Sequence, residues 1–168
     1  MLALPAAATA KPTDKDKRAA KQQCKAERGK SSATREAFKS KYDNFGRCVR
    51  RKAAEEESET EAAHKNAAKE CKAERTADPA AFAQTYGTNA NTDNAYGKCV
   101  SSKAKAKKSE MDAEDDADAE DFKSAAHACA AERGQMGRLA FAGKYGTNAD
   151  ESNAFGKCVS GKNQEPRP

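Results

Sequence analysis

Cys71-Lys72-Ala73-Glu74-Arg75 and, after an intervening aromatic pair, Asn94-Ala95-Tyr96-Gly97-Lys98-Cys99-Val100 decide the fold of this chain. The same frame stands before and after it. It opens with Cys24-Lys25-Ala26-Glu27-Arg28 and closes with Asn44-Phe45-Gly46-Arg47-Cys48-Val49; further on, Cys129-Ala130-Ala131-Glu132-Arg133 opens and Asn153-Ala154-Phe155-Gly156-Lys157-Cys158-Val159 closes. All 6 cysteines are used, one at each end of each copy. A unit repeated with a cysteine pair in every copy reads as a stapled repeat architecture.

Composition says what such a unit is made of. Hydrophobic residues are 37% of the chain and mean hydropathy is −1.03. Alanine supplies 37 of the residues, Ile and Trp are absent, and the three valines directly follow the closing cysteines. Few positions can therefore deliver the roughly 1.5–3 kcal/mol of a buried large apolar side chain. Units with thin cores usually need staples. β-branched and aromatic residues are too scarce to fill strands, which nearly excludes a β protein, and Ala with Lys, Arg and Glu is the composition of helices. The sequence predicts an all-α fold: three small disulfide-stapled helical repeat units joined by long charged helical connectors.

Each copy divides into three helical pieces. The first ends on the Cys-x-Ala-Glu-Arg run. The second carries Phe38 and Tyr42, Phe82 and Tyr86, or Phe141 and Tyr145, each pair spaced i, i+4 on one face. Asp78-Pro79 predicts an N-cap and a first-turn proline for the second copy. Gly87 and Gly146 are expected as left-handed C-caps. The third piece is expected to start after an Asp or Ser cap, with Phe45, Tyr96 or Phe155 and the closing cysteine on one face. Nine of the ten aromatics fall at these repeated positions, which marks them as core; the tenth is Phe122. The glycines between aromatic and cysteine (Gly46, Gly97, Gly156) permit close packing against a neighbour.

The resulting boundaries are a signal-peptide remnant at 1–10, a basic flexible segment at 11–17, repeat 1 at 18–53 and an acidic helical connector at 54–65. Repeat 2 occupies 66–104, a Lys-then-acidic connector 105–122, repeat 3 123–162, and a disordered tail 163–168. Ala8-Thr9-Ala10 fits a small-x-small cleavage pattern. The stretch is short and lacks a positive n-region, so the true start is expected upstream. The first connector, free of Gly and Pro, predicts a continuous helix. The second crowds Asp112, Asp115, Asp116, Asp118 and Asp121 together, which predicts a frayed helix or a disordered tether.

Three chemistries compete for the cysteines. A structural zinc site needs four ligands with short spacings, and only His64 and His127 accompany the cysteines. Redox catalysis favours C-x-x-C, which is absent. Disulfides Cys24–Cys48, Cys71–Cys99 and Cys129–Cys158 remain as the expected pairing, although six cysteines allow fifteen connectivities. Each would close a loop worth roughly 3–4 kcal/mol by chain entropy.

Candidate sites are few. His127 and Cys129 stand i, i+2 and point apart on a helix. The acidic run lacks the glycine and ligand spacing of a calcium loop. Thr88, Asn89, Asn91 and Asp93, with Thr147, Asn148 and Asp150, form polar loops on a rigid frame and are the candidate ligand contacts; turn and capping chemistry explains the same residues. No catalytic constellation, metal site or cofactor motif is present. Charge is uneven: +10 over residues 11–53, −8 over 54–121 and +3 over 122–168.

The Cys-Lys-Ala-Glu-Arg … Tyr-Gly-Thr-Asn … Asn-Ala-[Phe/Tyr]-Gly-Lys-Cys-Val pattern resembles exported proteins of high-GC actinobacteria, over repeats 2 and 3 more than repeat 1. That resemblance implies export and brings no activity with it. The expected role is non-enzymatic: a secreted or cell-envelope protein with a structural or multivalent interaction function. Its expected partner is an anionic cell-surface polymer or a protein. Nucleic-acid binding through the basic first repeat is the alternative, and an enzyme of unknown class the third reading.

Overall fold

The structure is a computed structural model that describes residues 11–164. The signal-like stretch 1–10 and residues 165–168 of the expected tail lie outside the described residues. Asn163 and Gln164, its first two, form a turn on the end of the last helix, donating to the Val159 and Gly161 carbonyls at 2.9 and 3.2 Å. Among the described residues there is no strand, and seven helices follow one another: α1 (Asp14–Arg28), α2 (Ser32–Tyr42), α3 (Phe45–Ala77), α4 (Pro79–Tyr86), α5 (Ala95–Met136), α6 (Arg138–Tyr145) and α7 (Ala154–Lys162). The protein is all-α, and it bonds Cys24 to Cys48, Cys71 to Cys99 and Cys129 to Cys158.

Local chemistry sets the helix ends. Ser31 caps α2 by accepting from the Thr34 N–H at 3.1 Å. Asp78 caps α4, accepting from Ala81 N–H at 2.9 Å, with Pro79 in the first turn. Helix α1 begins at Asp14, inside the segment expected to be flexible; Asp14 and Asp16 place negative charge in its first turn, where the helix dipole favours it.

Two expectations about caps need correcting. Gly87 and Gly146 close α4 and α6 in extended conformation, at φ −71° and −68°, not in the left-handed region. Glycine is required there by close approach: a Cβ would lie 2.5 Å from the Ala83 carbonyl oxygen at Gly87 and 2.6 Å from that of Ala142 at Gly146. Positive φ is found instead at Gly29 after α1, at Gly137 before α6, at Thr92 and Glu151 inside the loops, and at Asp43 in the shorter first copy. The third pieces do not start on an Asp or Ser cap either. Asn44 caps α3 by accepting from Arg47 N–H at 2.9 Å. Asn94 and Asn153 instead turn their side chains back into the loops, bonding Thr88 and Thr147.

The second connector is also corrected. Residues 105–122 are continuous α-helix within α5. Three of its acidic side chains are compensated by cations or amides. Asp112 bonds Lys108, Asp115 accepts from Lys52 at 3.2 Å and from Gln23 at 2.5 Å, and Glu120 meets Lys123 at 2.5 Å. Ala119, 3% exposed, anchors the same stretch by burial.

The chain forms two compact units. One comprises Ala54–Ala113 and contains the second copy. Here the first stretch of α5 runs antiparallel to the latter part of α3. Lys108 meets Glu56 and Glu59 at 2.8 and 3.0 Å, Lys103 meets Glu74 at 2.8 Å, Lys107 meets Glu70 at 2.8 Å, and Cys99 meets Cys71. Buried Ala63, Ala67 and Ala104 keep the side chains of that seam small. The apolar centre is only Cys71, Phe82, Ala95 and Cys99, with Tyr86, Tyr96 and Val100 half-buried around it.

The other unit comprises Asp14–Ala53 and, among the described residues, 114–164, so the first and third copies share a single core. Phe38, Tyr42, Phe122, Phe141, Phe155 and Val159 are buried in it together with two disulfides. Helix α2 of the first copy packs on α7 of the third. A Cβ at Gly156 would lie 2.9 Å from Ser40 Cβ, so glycine is what admits α2 at this distance. Arg133 donates to both oxygens of Glu36, at 2.5 and 2.8 Å, and its guanidinium lies 4.5 Å from the Phe155 ring centroid. The tenth aromatic, Phe122, fills this joint core at 3% exposure.

Candidate functional site

The Glu-Arg pairs are the first residues whose role the structure defines. Glu74 accepts from the Tyr86 hydroxyl at 3.0 Å, and Glu132 from that of Tyr145 at 2.7 Å. The partner arginines lie over the aromatic that precedes the closing cysteine, Arg75 at 4.8 Å from Tyr96 and Arg133 at 4.5 Å from Phe155. Each pair therefore ties the first helical piece to the other two. Hydrogen bonds from Lys144 and then Tyr145 lower the pKa of Glu132 to about 2. In the first copy Glu27 is buried and takes Lys41 at 3.2 Å and Lys52 at 3.9 Å. These are structural contacts.

The polar loops are held by the same economy. Asn148 donates to Asp150 at 2.6 Å and to Ser152 at 2.9 Å, and Asn153 clasps Thr147 through both ends of its amide. The Ser152 backbone and hydroxyl both lower the Asp150 pKa. In the second copy Asn91 donates to Asp93 at 2.5 Å, Asn94 clasps Thr88, and the Asn89 carbonyl accepts from Thr92 N–H at 3.0 Å. The expected ligand contacts Thr88, Asn89, Asn91, Asp93, Thr147, Asn148 and Asp150 thus each have a hydrogen-bond partner within their own loop.

One group of carboxylates has metal-ligand proximity. Oxygens of Glu56, Glu59 and Asp112 lie within 4.8 Å of one another. The Lys108 ammonium bonds all three. Burial opposes its charge, but hydrogen bonds to Asp112, Glu56 and Glu59 outweigh that and raise its pKa. Burial raises the pKa of Glu56 despite the Lys108 hydrogen bond. The protein's own cation fills this position. His64 and His127 are exposed, and Cys129 is committed to its disulfide.

A concave site arises instead where the first and third copies meet. A groove of about 540 Å³ lies between α2, α5 and α7, within the size range of ligand sites. Phe122, Ala37 and Val159 supply its apolar floor. Its polar lining includes Ser40, Lys41, Ser152, Lys157 and Ser160, and no carboxylate. Lys41 is held in place, donating to Glu27 at 3.2 Å and lying 4.7 Å from the Phe122 ring centroid. Lys157 is exposed on the first turn of α7. The loop expected to touch ligand reaches this groove through its end, Ser152 and Asn153, and not through Thr147, Asn148 or Asp150.

Sequence reasoning missed Ser40, Lys41, Lys157 and Ser160. Nothing local marks them, because the groove exists only once two copies far apart in the chain are packed together. No protein-family model, curated protein or solved structure matches the chain.

Proposed function

We infer that this is an exported, non-enzymatic protein of the cell envelope or its exterior that binds an anionic, hydroxyl-rich polymer, with the groove between α2 and α7 as its contact. The observation that carries this reading is the lining of that groove: exposed Lys157, Lys41 shared with buried Glu27, hydroxyl and amide side chains, an apolar floor and no carboxylate in the lining itself. Such a lining attracts negative charge and offers hydrogen bonds to hydroxyls. Three disulfides accord with folding in an oxidising compartment. Among the described residues no helix is long and apolar enough to cross a membrane. The repeated frame supports the same role by presenting contacts on a stapled scaffold rather than a reacting centre.

Binding of a sulfated oligosaccharide, followed by calorimetry on the full oxidised protein, tests it. Lys157→Glu is expected to weaken binding at least fivefold, added salt to weaken it further, and Lys72→Glu in the other unit to leave it within twofold. Equal losses from Lys72→Glu and Lys157→Glu would show diffuse charge attraction and overturn the groove. Loss on reversing exposed Lys21 and Lys25, with Lys157→Glu silent, would favour the basic first copy as a polyanion surface. Deleting residues 11–53 cannot serve as that test, because Cys24, Ala37 and Phe38 belong to the shared core.

A further inference from the structure

Each copy of the frame carries both halves of the α2–α7 contact, and only one half is used in two of them. The inserting half is Ala37 with Ser40 in the first copy, Ala140 with Gly143 in the third, and Ala81 with Gln84 in the second. The receiving half is an aromatic, a glycine and a valine: Phe155, Gly156 and Val159 in the third copy, Tyr96, Gly97 and Val100 in the second. Inside the molecule the first copy inserts and the third receives. Ala37 is 1% exposed and Val159 2% as a result.

The unused halves are open. On α6 Ala140 is exposed, a Cβ at Gly143 would meet nothing within 4 Å, and Leu139 is 90% exposed beside Met136 at 38%. Leu139 is the sole leucine among the described residues, and it occupies the position that Glu36 holds in the first copy. A scattered exposed leucine means little by itself; this one lies beside Ala140, whose counterpart Ala37 in the first copy is buried against α7. On the second copy a Cβ at Gly97 would also meet nothing within 4 Å, Tyr96 and Val100 are half-buried, and Arg75 lies over Tyr96 as Arg133 lies over Phe155. The first copy is a poorer receiver, because Arg50 and Asn44 stand within 4 Å of a Cβ at Gly46. The second copy is a poorer inserter, since Gln84 is bulkier than Ser40 or Gly143.

We propose that α6 of one molecule seats on the second copy of another molecule, repeating between chains the contact that α2 makes with α7 within one. The occupant is identified by the molecule's own precedent: the surface that covers such a receiving face is an inserting face of this same frame, and every chain presents an open example of each on α6 and on the second copy. The contact is heterologous, so it propagates head to tail. Leu139 replaces the carboxylate that Arg133 pairs with, which leaves an apolar contact bordered by Arg138 and Arg75. Salt therefore strengthens it by screening like charges, the reverse of its effect on an anionic ligand.

Sedimentation velocity on the full oxidised protein, from micromolar to millimolar and at two salt concentrations, reads the association. The expected result is a weight-average mass that rises with concentration and rises further in high salt. Leu139→Asp removes the inserting face and Gly97→Phe blocks the receiving face; both positions are open, and circular dichroism checks that each variant folds. Each variant alone is expected to lose association at least tenfold. An equimolar mixture of the two is expected to form a 1:1 dimer and nothing larger, since one intact inserting face meets one intact receiving face. A protein that stays monomeric throughout, variants that associate as the parent does, or a mixture that stays monomeric would each overturn the proposal.

Discussion

The unit holding the second copy and the unit shared by the first and third are built from one frame, yet their interiors differ. Around Cys71–Cys99 the buried apolar set is four residues, and Tyr96 and Val100 remain half exposed. Where two copies combine, Phe155 and Val159 at the equivalent positions are 5% and 2% exposed, and Phe122 joins them. The difference teaches that the frame alone is a minimal fold, held by a disulfide and a Glu–Tyr clasp. A full core appears only when one copy lays its second helix on another's third. The concave groove appears at the same seam.

Truncating core aromatics should expose this difference most strongly. Phe141→Ala, in the shared core, is expected to cost about 3–5 kcal/mol, while Phe82→Ala, in the thin core, falls at or below the lower end. Paired urea melts would measure both, and equal losses would dissolve the distinction. Next comes the staple. Replacing Cys71 and Cys99 together by serine should cost roughly 3–4 kcal/mol and bring fast hydrogen exchange to α4 and the start of α5. Protection in α2 and α7 should persist, and its loss would show that the units do not fold separately.

A smaller effect concerns the arginine over the aromatic. Arg133 has the Glu36 carboxylate as well as the Phe155 ring; among the described residues Arg75 has the Tyr96 ring and no carboxylate. Side chains of the Arg133–Glu36 pair are 28% and 41% exposed, so Arg133→Gln should cost only about 1 kcal/mol, and Arg75→Gln less. The smallest effect is that of acid. The folded-state pKa of Glu132 is lowered from 4.5 to about 2. Its stabilising contribution is therefore complete above pH 4.5 and is lost as pH falls towards 2. Exchange at α6 should quicken over that range, and Glu132→Gln should remove the pH step. An unchanged step in the variant would assign it to another carboxylate.

Much of the scaffold was legible in the sequence because it is local. Cysteine spacing, the i, i+4 aromatics and Asp78-Pro79 each state their role within a few residues. Charge compensation in the second connector was not legible, since Asp115 finds Lys52 and Gln23 only across the fold. Gly87 and Gly146 were legible as special positions but not for the right reason. A glycine after a helix suggests a left-handed cap, and only the folded chain brings up the carbonyl that leaves no room for a Cβ. The groove was hidden for a similar reason. Lys41 and Lys157 lie far apart in the chain, and Gly156 in sequence looks no different from Gly97.

The central claim is that the first and third copies share one core through α2 on α7. Nuclear Overhauser contacts in the isotope-labelled, oxidised protein test it most directly. The account predicts strong contacts from Ser40 Cβ protons to the Gly156 α protons, where a Cβ on Gly156 would approach Ser40 to 2.9 Å, together with contacts from Ala37 to helix α7. Contacts confined within each cysteine frame, with none between α2 and α7, would contradict it.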